Sequence, residues 1–216
     1  MRILTVSDEV VPVVYSLNAA QRFRDVAVVC GCGDLPYYYL EFLVTTLAVP
    51  CLYVHGNHDR PEITAGGCTI REPRGCENIE DRTVEQGGLL FAGLGGSIRY
   101  SRDSRYQYSE QEMMLRAWRL MPFLLLNRMR HGRYLDVLLT HAPPFGIHNG
   151  PDFPHRGFRA FLWLMNHFQP RYLVHGHIHL SYGFGQISET QYRQTLVMNT
   201  SGFRILTVNS AESCHN

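Results

Sequence analysis

The sequence predicts an α/β fold built on a parallel sheet. Short apolar runs recur along the chain, and helix-length segments separate them. Each run also ends in a cluster of Asp, Asn or His, and in open α/β sheets the crevice beyond the carboxyl ends of the strands is where ligands bind.

Ile3 to Val6 is the first run and ends at Ser7-Asp8. Val26 to Val29 repeats the pattern and ends at Cys30-Gly31-Cys32-Gly33-Asp34. Pro36, suited to a first helical position, introduces a helix over Tyr37 to Leu47. Cys51 to Val54 is the third run and ends in His55-Gly56-Asn57-His58-Asp59. Gly88 to Gly93 reads as a strand followed by a glycine-rich turn. Ser109-Glu110-Gln111-Glu112 has the form of a capped helix start, and helical patterning continues toward Arg130 with a break or kink expected at Pro122. The apolar stretch Leu120 to Leu126 is expected in the core. Val137 to Thr140 ends at His141, and a loop from Phe145 to Arg156 precedes a helix near 157 to 168. Tyr172 to Val174 ends at His175-Gly176-His177-Ile178-His179, and strands near 192 to 198 and 203 to 208 close the chain. Without repeats or low-complexity linkers, a single domain over residues 1–216 is expected.

Composition narrows the function. Charged residues make up 18% and apolar residues 45%, as in soluble globular proteins. No window is apolar for the roughly 18 residues that a membrane span needs. The first residues lead straight into a strand and not a signal segment, so a cytoplasmic location and reduced cysteines are expected. The chain has no lysine, which excludes a phosphate-binding loop of the G-x-x-x-x-G-K type, a pyridoxal Schiff base and a Ser-Lys dyad. A net charge of +1 without a basic run gives no case for tracking a nucleic-acid polymer.

Asp8, Asp34, Asn57 with His58, His141, and His177 with His179 therefore fall at five strand ends. Carboxylates, an amide oxygen and imidazoles without cysteine suit a hard or borderline divalent ion such as Mn, Fe, Ni or Zn. Two such ions roughly 3.5–4 Å apart clamp a phosphoryl group and generate hydroxide from water. On an extended segment His177 and His179 face one side, whereas His55 and His175 point away. His148, Asn149, Asp152, His155 and Arg156 in the long loop, and Arg60 after the third block, are within possible reach of a substrate or are plain surface residues.

These blocks resemble the calcineurin-like metallophosphoesterase superfamily, whose pattern is D-x-H, G-D, G-N-H-D/E, H and G-H-x-H in that order. The resemblance implies a four-layer α/β/β/α sandwich with two central mixed sheets flanked by helices. It implies two divalent metal ions: Asp34 bridging, Asp8 and His179 on the first, and Asn57, His141 and His177 on the second. His58 would contact the phosphate or the leaving oxygen, with Asp59 orienting its imidazole, and hydroxide from metal-held water would be the nucleophile. The final block followed by Tyr182-Gly183 and Asn199-Thr200-Ser201 is more similar to the small metallophosphodiesterase branch than to protein phosphatases. A small-molecule phosphate ester, a diester before a monoester, is the expected substrate.

The pattern departs at one position. Val10 stands where the family has the first block's histidine, so the first metal lacks an imidazole and is expected to bind weakly. Glu9 could replace it only if the backbone turns there, because simple strand alternation aims it away. Val10 also motivates a different reading, in which the fold serves as a metal-binding or protein-interaction scaffold with weakened catalysis.

Overall fold

The computed structural model describes residues 1–63, 66–101, 105–179 and 187–208. Tyr182, Gly183, Cys214 and His215 lie outside the described residues.

The chain begins with β1 (Arg2–Ser7), a short helix α1 (Ala19–Arg22), β2 (Val26–Gly31), α2 (Tyr37–Leu47) and β3 (Cys51–Tyr53). A two-stranded ribbon follows, β4 (Glu62–Ile63) with β5 (Thr69–Ile70), and then β6 (Cys76–Asn78). A second sheet starts with β7 (Thr83–Gln86) and β8 (Leu89–Leu94), and β9 (Ser97–Ile98) pairs with β10 (Gln107–Tyr108) beside it. The long helix α3 (Glu110–His131), β11 (Val137–Thr140), α4 (Arg159–Phe168), β12 (Tyr172–His175), β13 (Glu189–Tyr192), β14 (Thr195–Asn199) and β15 (Gly202–Thr207) complete the order.

Two main sheets result, ordered β15-β1-β2-β3-β6 and β13-β14-β12-β11-β8-β7. Their interiors are parallel, as the alternating runs and helices predict. Three pairings are antiparallel, β1 with β15, β7 with β8 and β13 with β14, so both sheets are mixed.

Side-chain alternation assembles the four layers. Ile3 and Val28 face the second sheet, where they meet Phe91, Val137, Leu139 and Val174. Their neighbours Leu4 and Val29 face the opposite way, onto Tyr39, Leu40 and Leu43 of α2. Leu90 and Ala92 of β8 likewise turn outward onto Met113, Leu120 and Leu124 of α3 and Phe161 and Leu164 of α4. Each such side chain contributes about 1.5–3 kcal/mol on burial, so three layers of contact hold the strand ends in register.

Helix α3 starts with the capping box foreseen in the sequence: Ser109 accepts from the Glu112 N–H, and the Glu112 carboxylate accepts from the Ser109 N–H. Glu110 meanwhile accepts from the N–H groups of Arg159 and Ala160, covering the first turn of α4, whose own cap Phe158 has no side-chain acceptor. α3 is not broken at Pro122, which lies on the solvent side, where a lost backbone bond is least costly. The core reading of residues 120–126 holds for Leu120 and Leu124, with Met121 half-buried against the same cluster, whereas Phe123, Leu125 and Leu126 are exposed. Among the described residues no helix is long and apolar enough to cross a membrane. Cys30, Cys32, Cys51 and Cys76 are not in disulfides.

Candidate metal centre

The site lies where β1, β2, β3, β11 and β12 end, at the rim shared by both sheets. The backbone leaves extended geometry there in an unusual way. Asp8, Asp34 and His177 all adopt positive φ, at 65°, 54° and 66°. Glu9 N–H donates to Ser7 O at 2.7 Å and Ile178 N–H to Gly176 O at 2.8 Å, so Asp8 and His177 are each the centre of a three-residue turn. Such conformations cost energy for residues with a Cβ and persist where surrounding contacts enforce them, as they do at functional sites.

Asp34, His141 and His177 come together, each offering one ligand atom, with all three atoms within 4.8 Å of one another. His141 is fully buried, and its Nδ1–H donates to Cys32 O at 2.8 Å. Its Nε2 therefore faces the site, 2.9 Å from Asn57 Oδ1 and 3.3 Å from Asp34 Oδ2. His177 is arranged in the opposite sense: Nε2–H donates to Pro154 O at 3.0 Å, which leaves Nδ1 for the site. A carbonyl on one ring nitrogen, fixing the tautomer and freeing the other, is how metal-bound histidines are held. Asn57 donates from its amide nitrogen to Tyr100 OH at 3.1 Å, which turns its oxygen inward. The donor chemistry fits a divalent ion: carboxylate, amide oxygen and two oriented imidazoles.

Electrostatics agree with that fit. Burial raises the Asp34 carboxyl, but His141 beside it and the His58 N–H, 2.8 Å from Oδ1, outweigh burial and hold Asp34 well below the usual carboxylate range. Burial pulls the His141 imidazole down, whereas Asp34 and Asp8 carry it up to about 9. A proton on His141 thus occupies the role that a cation would take. Burial lowers His177 to about 3, leaving it neutral. Asp8 is raised, chiefly by burial.

The remaining predicted residues are placed unequally. Asp8 meets the His177 segment through its carboxylate, which accepts from the His177 N–H. His179 is 61% exposed, with Nδ1 3.9 Å from Glu9 Oε1. His58 is exposed and borders a cavity of about 340 Å³ together with Asp34, Asp59 and Arg60. The expected Asp59–His58 pairing is not among the hydrogen bonds of the described residues. Asp59 instead accepts from the Gly56 N–H at 2.8 Å and braces the loop. Burial and the nearby Asp34 charge push its carboxyl up to about 6. That loop passes very close to the segment after β2: a Cβ on Gly56 would lie 2.0 Å from Asp34 Oδ1, so only glycine fits.

A second hollow, about 710 Å³, opens beside His179 and is lined by His148, Asn149, His155, Ile178 and Thr190. His148 is tied to His175 Nε2 at 2.9 Å and to Thr190 Oγ1 at 2.8 Å, while His155 pairs with Asp152 and packs 5.0 Å from the His177 ring. His55 and His175 are buried away from the site, as alternation suggested.

Sequence reasoning missed the supports. Glu80 accepts from the His55 N–H at 2.9 Å and pairs with buried Arg116 of α3, which also donates to Asp81 and to Gly95 O. Arg116 occupies the buried face of α3 among Met113, Ala117, Leu120 and Leu124, a charge in an apolar stripe that could have flagged it. Pro154 contributes a carbonyl, which no side-chain pattern reveals.

Residues 17–181 match the family described as calcineurin-like phosphoesterase. A 105-residue segment, 49% of the chain, is 26% identical to UPF0046 protein K07C11.7 of Caenorhabditis elegans, and it covers 32% of that protein, so the match spans about a third of the relative's length. Two solved structures share the fold. TT1561 of Thermus thermophilus has a TM-score of 0.58 at 16% identity, covering 93% of this chain and 89% of that one. GAP50, the anchor in the inner membrane complex of Plasmodium, has a TM-score of 0.51 at 11% identity, covering 92% and 70%.

Proposed function

Because this chain belongs to the calcineurin-like phosphoesterase family, we propose that it hydrolyses a small or medium phosphate ester, diesters before monoesters, with two divalent ions held at the strand ends. The observation that carries this reading is the convergence of Asp34, His141 and His177, with a backbone carbonyl on the second nitrogen of each imidazole.

Asp34 would bridge the two ions. Asn57, His141 and His177 would hold the second ion and Asp8 and His179 the first. When bound, the pair would supply positive charge to the phosphoryl oxygens and an activated water. The chain's own residues do the rest. The Cys32 and Pro154 carbonyls hold the other ring nitrogens of His141 and His177 and aim Nε2 and Nδ1 inward, where the ion would displace the proton from His141. His58, exposed at the rim next to Asp34, would meet a phosphate oxygen or protonate the leaving oxygen. Asp59 acts on His58 through the loop backbone that it braces. Arg60, beside the same cavity, offers a guanidinium for the phosphate. The preference for a diester rests on the branch resemblance of the final block.

The packing of Val10 against the apolar cluster of α2 favours a second reading, a scaffold with weakened catalysis. One experiment separates the two. Chelator-stripped protein is given Mn and assayed on bis-p-nitrophenyl and p-nitrophenyl phosphate, alongside Asp34→Asn. The enzyme reading expects Mn-dependent turnover, faster on the diester and abolished in the variant. Folded protein inactive with every divalent ion would leave the scaffold reading.

A further inference from the structure

We infer that Glu9 is a ligand of the first ion, taking the coordination position that Val10 cannot fill; the inference rests on the two-ion reading above. The backbone supplies the reason. Had β1 continued extended past Ser7, alternation would direct Glu9 away from the site. The turn centred on Asp8 interrupts that alternation. Beyond the turn, Val10 packs against the cluster formed with Tyr39, Leu40 and Val14, so its side chain belongs to the hydrophobic layer. Glu9 instead comes to the side of His179, with Oε1 at 3.9 Å from His179 Nδ1.

That separation suits shared coordination. Two donors each about 2.0–2.2 Å from one ion can be at most about 4.4 Å apart. Glu9 and His179 meet this condition without any rearrangement. Both side chains are more than half exposed, at 57% and 61%, so a bare Glu–His contact between them would be worth little to the fold. Asp8, next to Glu9 in the chain, is held at the site by the His177 N–H. The first ion would then be surrounded by Asp8, Glu9, Asp34 and His179, three carboxylates and one imidazole. Exchanging an imidazole for a carboxylate makes the set harder and more negative, which shifts preference toward Mn or Mg relative to Zn or Ni.

The test is metal binding without substrate. Mn titration of the chelator-stripped full chain, with free Mn read by electron paramagnetic resonance, is compared for wild type, Glu9→Gln and Glu9→Ala. Thermal unfolding checks that the variants fold. Two ions per chain are expected for wild type. In both variants one of the two should weaken by at least about tenfold while the other is unchanged, and that site should lose more affinity for Mn than for Zn. Two ions bound by both variants as tightly as by wild type would overturn the role of Glu9 and leave the phosphoesterase reading standing. A wild-type chain that binds no ion would overturn both, and a single ion insensitive to Glu9 would overturn the inference together with the two-ion centre.

Discussion

The backbone N–H of His177 donates to both oxygens of the Asp8 carboxylate, at 3.1 and 3.0 Å, across 169 residues of chain. Each partner is the centre of a positive-φ turn, so the bond ties the first and last ligand-bearing segments together at their most strained points. Gly176 makes this approach possible, because a Cβ there would lie 1.8 Å from Ser7 Oγ and 2.5 Å from Asp8 Oδ2. Gly176→Ala should therefore force the segments apart, at a cost of about 1–3 kcal/mol by overpacking. Urea unfolding measures it, and an unchanged midpoint would show that the contact is not tight.

Proton release should accompany metal uptake. Burial disfavours the His141 imidazolium, but Asp34 and Asp8 outweigh burial and raise the group to about 9. In the metal-free protein that proton contributes stability that is fully present below about pH 6.5 and lost as pH rises through 9. Metal binding has the opposite sign, since the ion must displace the proton. Affinity should rise roughly tenfold per pH unit between pH 7 and 9 and then level. Titration calorimetry in buffers of differing ionisation enthalpy counts the protons, and none released at pH 7 would contradict a protonated His141.

Arg116 anchors the third block from a distance. It is 5% exposed, and its guanidinium meets Glu80, whose other oxygen holds the His55 N–H two residues before Asn57. Removing one partner of a buried pair costs about 3–5 kcal/mol, because the other charge is left uncompensated. Arg116→Met should be destabilised on that scale in urea. Its second-ion affinity should fall although Arg116 touches no ligand; a variant as stable as wild type would rule out the anchor.

Much of the fold was legible because apolar runs and breakers coincide with the elements. Pro36 marks the start of α2, and both that helix and β11 end where their patterns end. The antiparallel edge pairings were not legible from residue patterns, because partner choice at a sheet edge depends on the returning chain. The motif blocks announced the site, since Asp, Asn and His after an apolar run have little other use. What they could not convey was local backbone geometry. Alternation alone aims Glu9 away and sets His177 and His179 on one side. Yet β1 ends at Ser7 and β12 at His175, and turns with positive φ at Asp8 and His177 replace the extended chain. Aspartate and histidine adopt positive φ more often than most residues with a Cβ, but that preference is too weak to single out Asp8 and His177 from the sequence. The Asp59–Gly56 bond was hidden for a similar reason, being a side chain turned back onto its own loop.

Two ions sharing Asp34 are the central claim, and anomalous diffraction from crystals equilibrated with Mn tests it most directly. Two peaks roughly 3.5–4 Å apart are expected, with the Asp34 carboxylate between them. The second should touch His141 Nε2 and His177 Nδ1, and the first Asp8, Glu9 and His179. A single peak, or two peaks away from Asp34, would contradict the dinuclear centre.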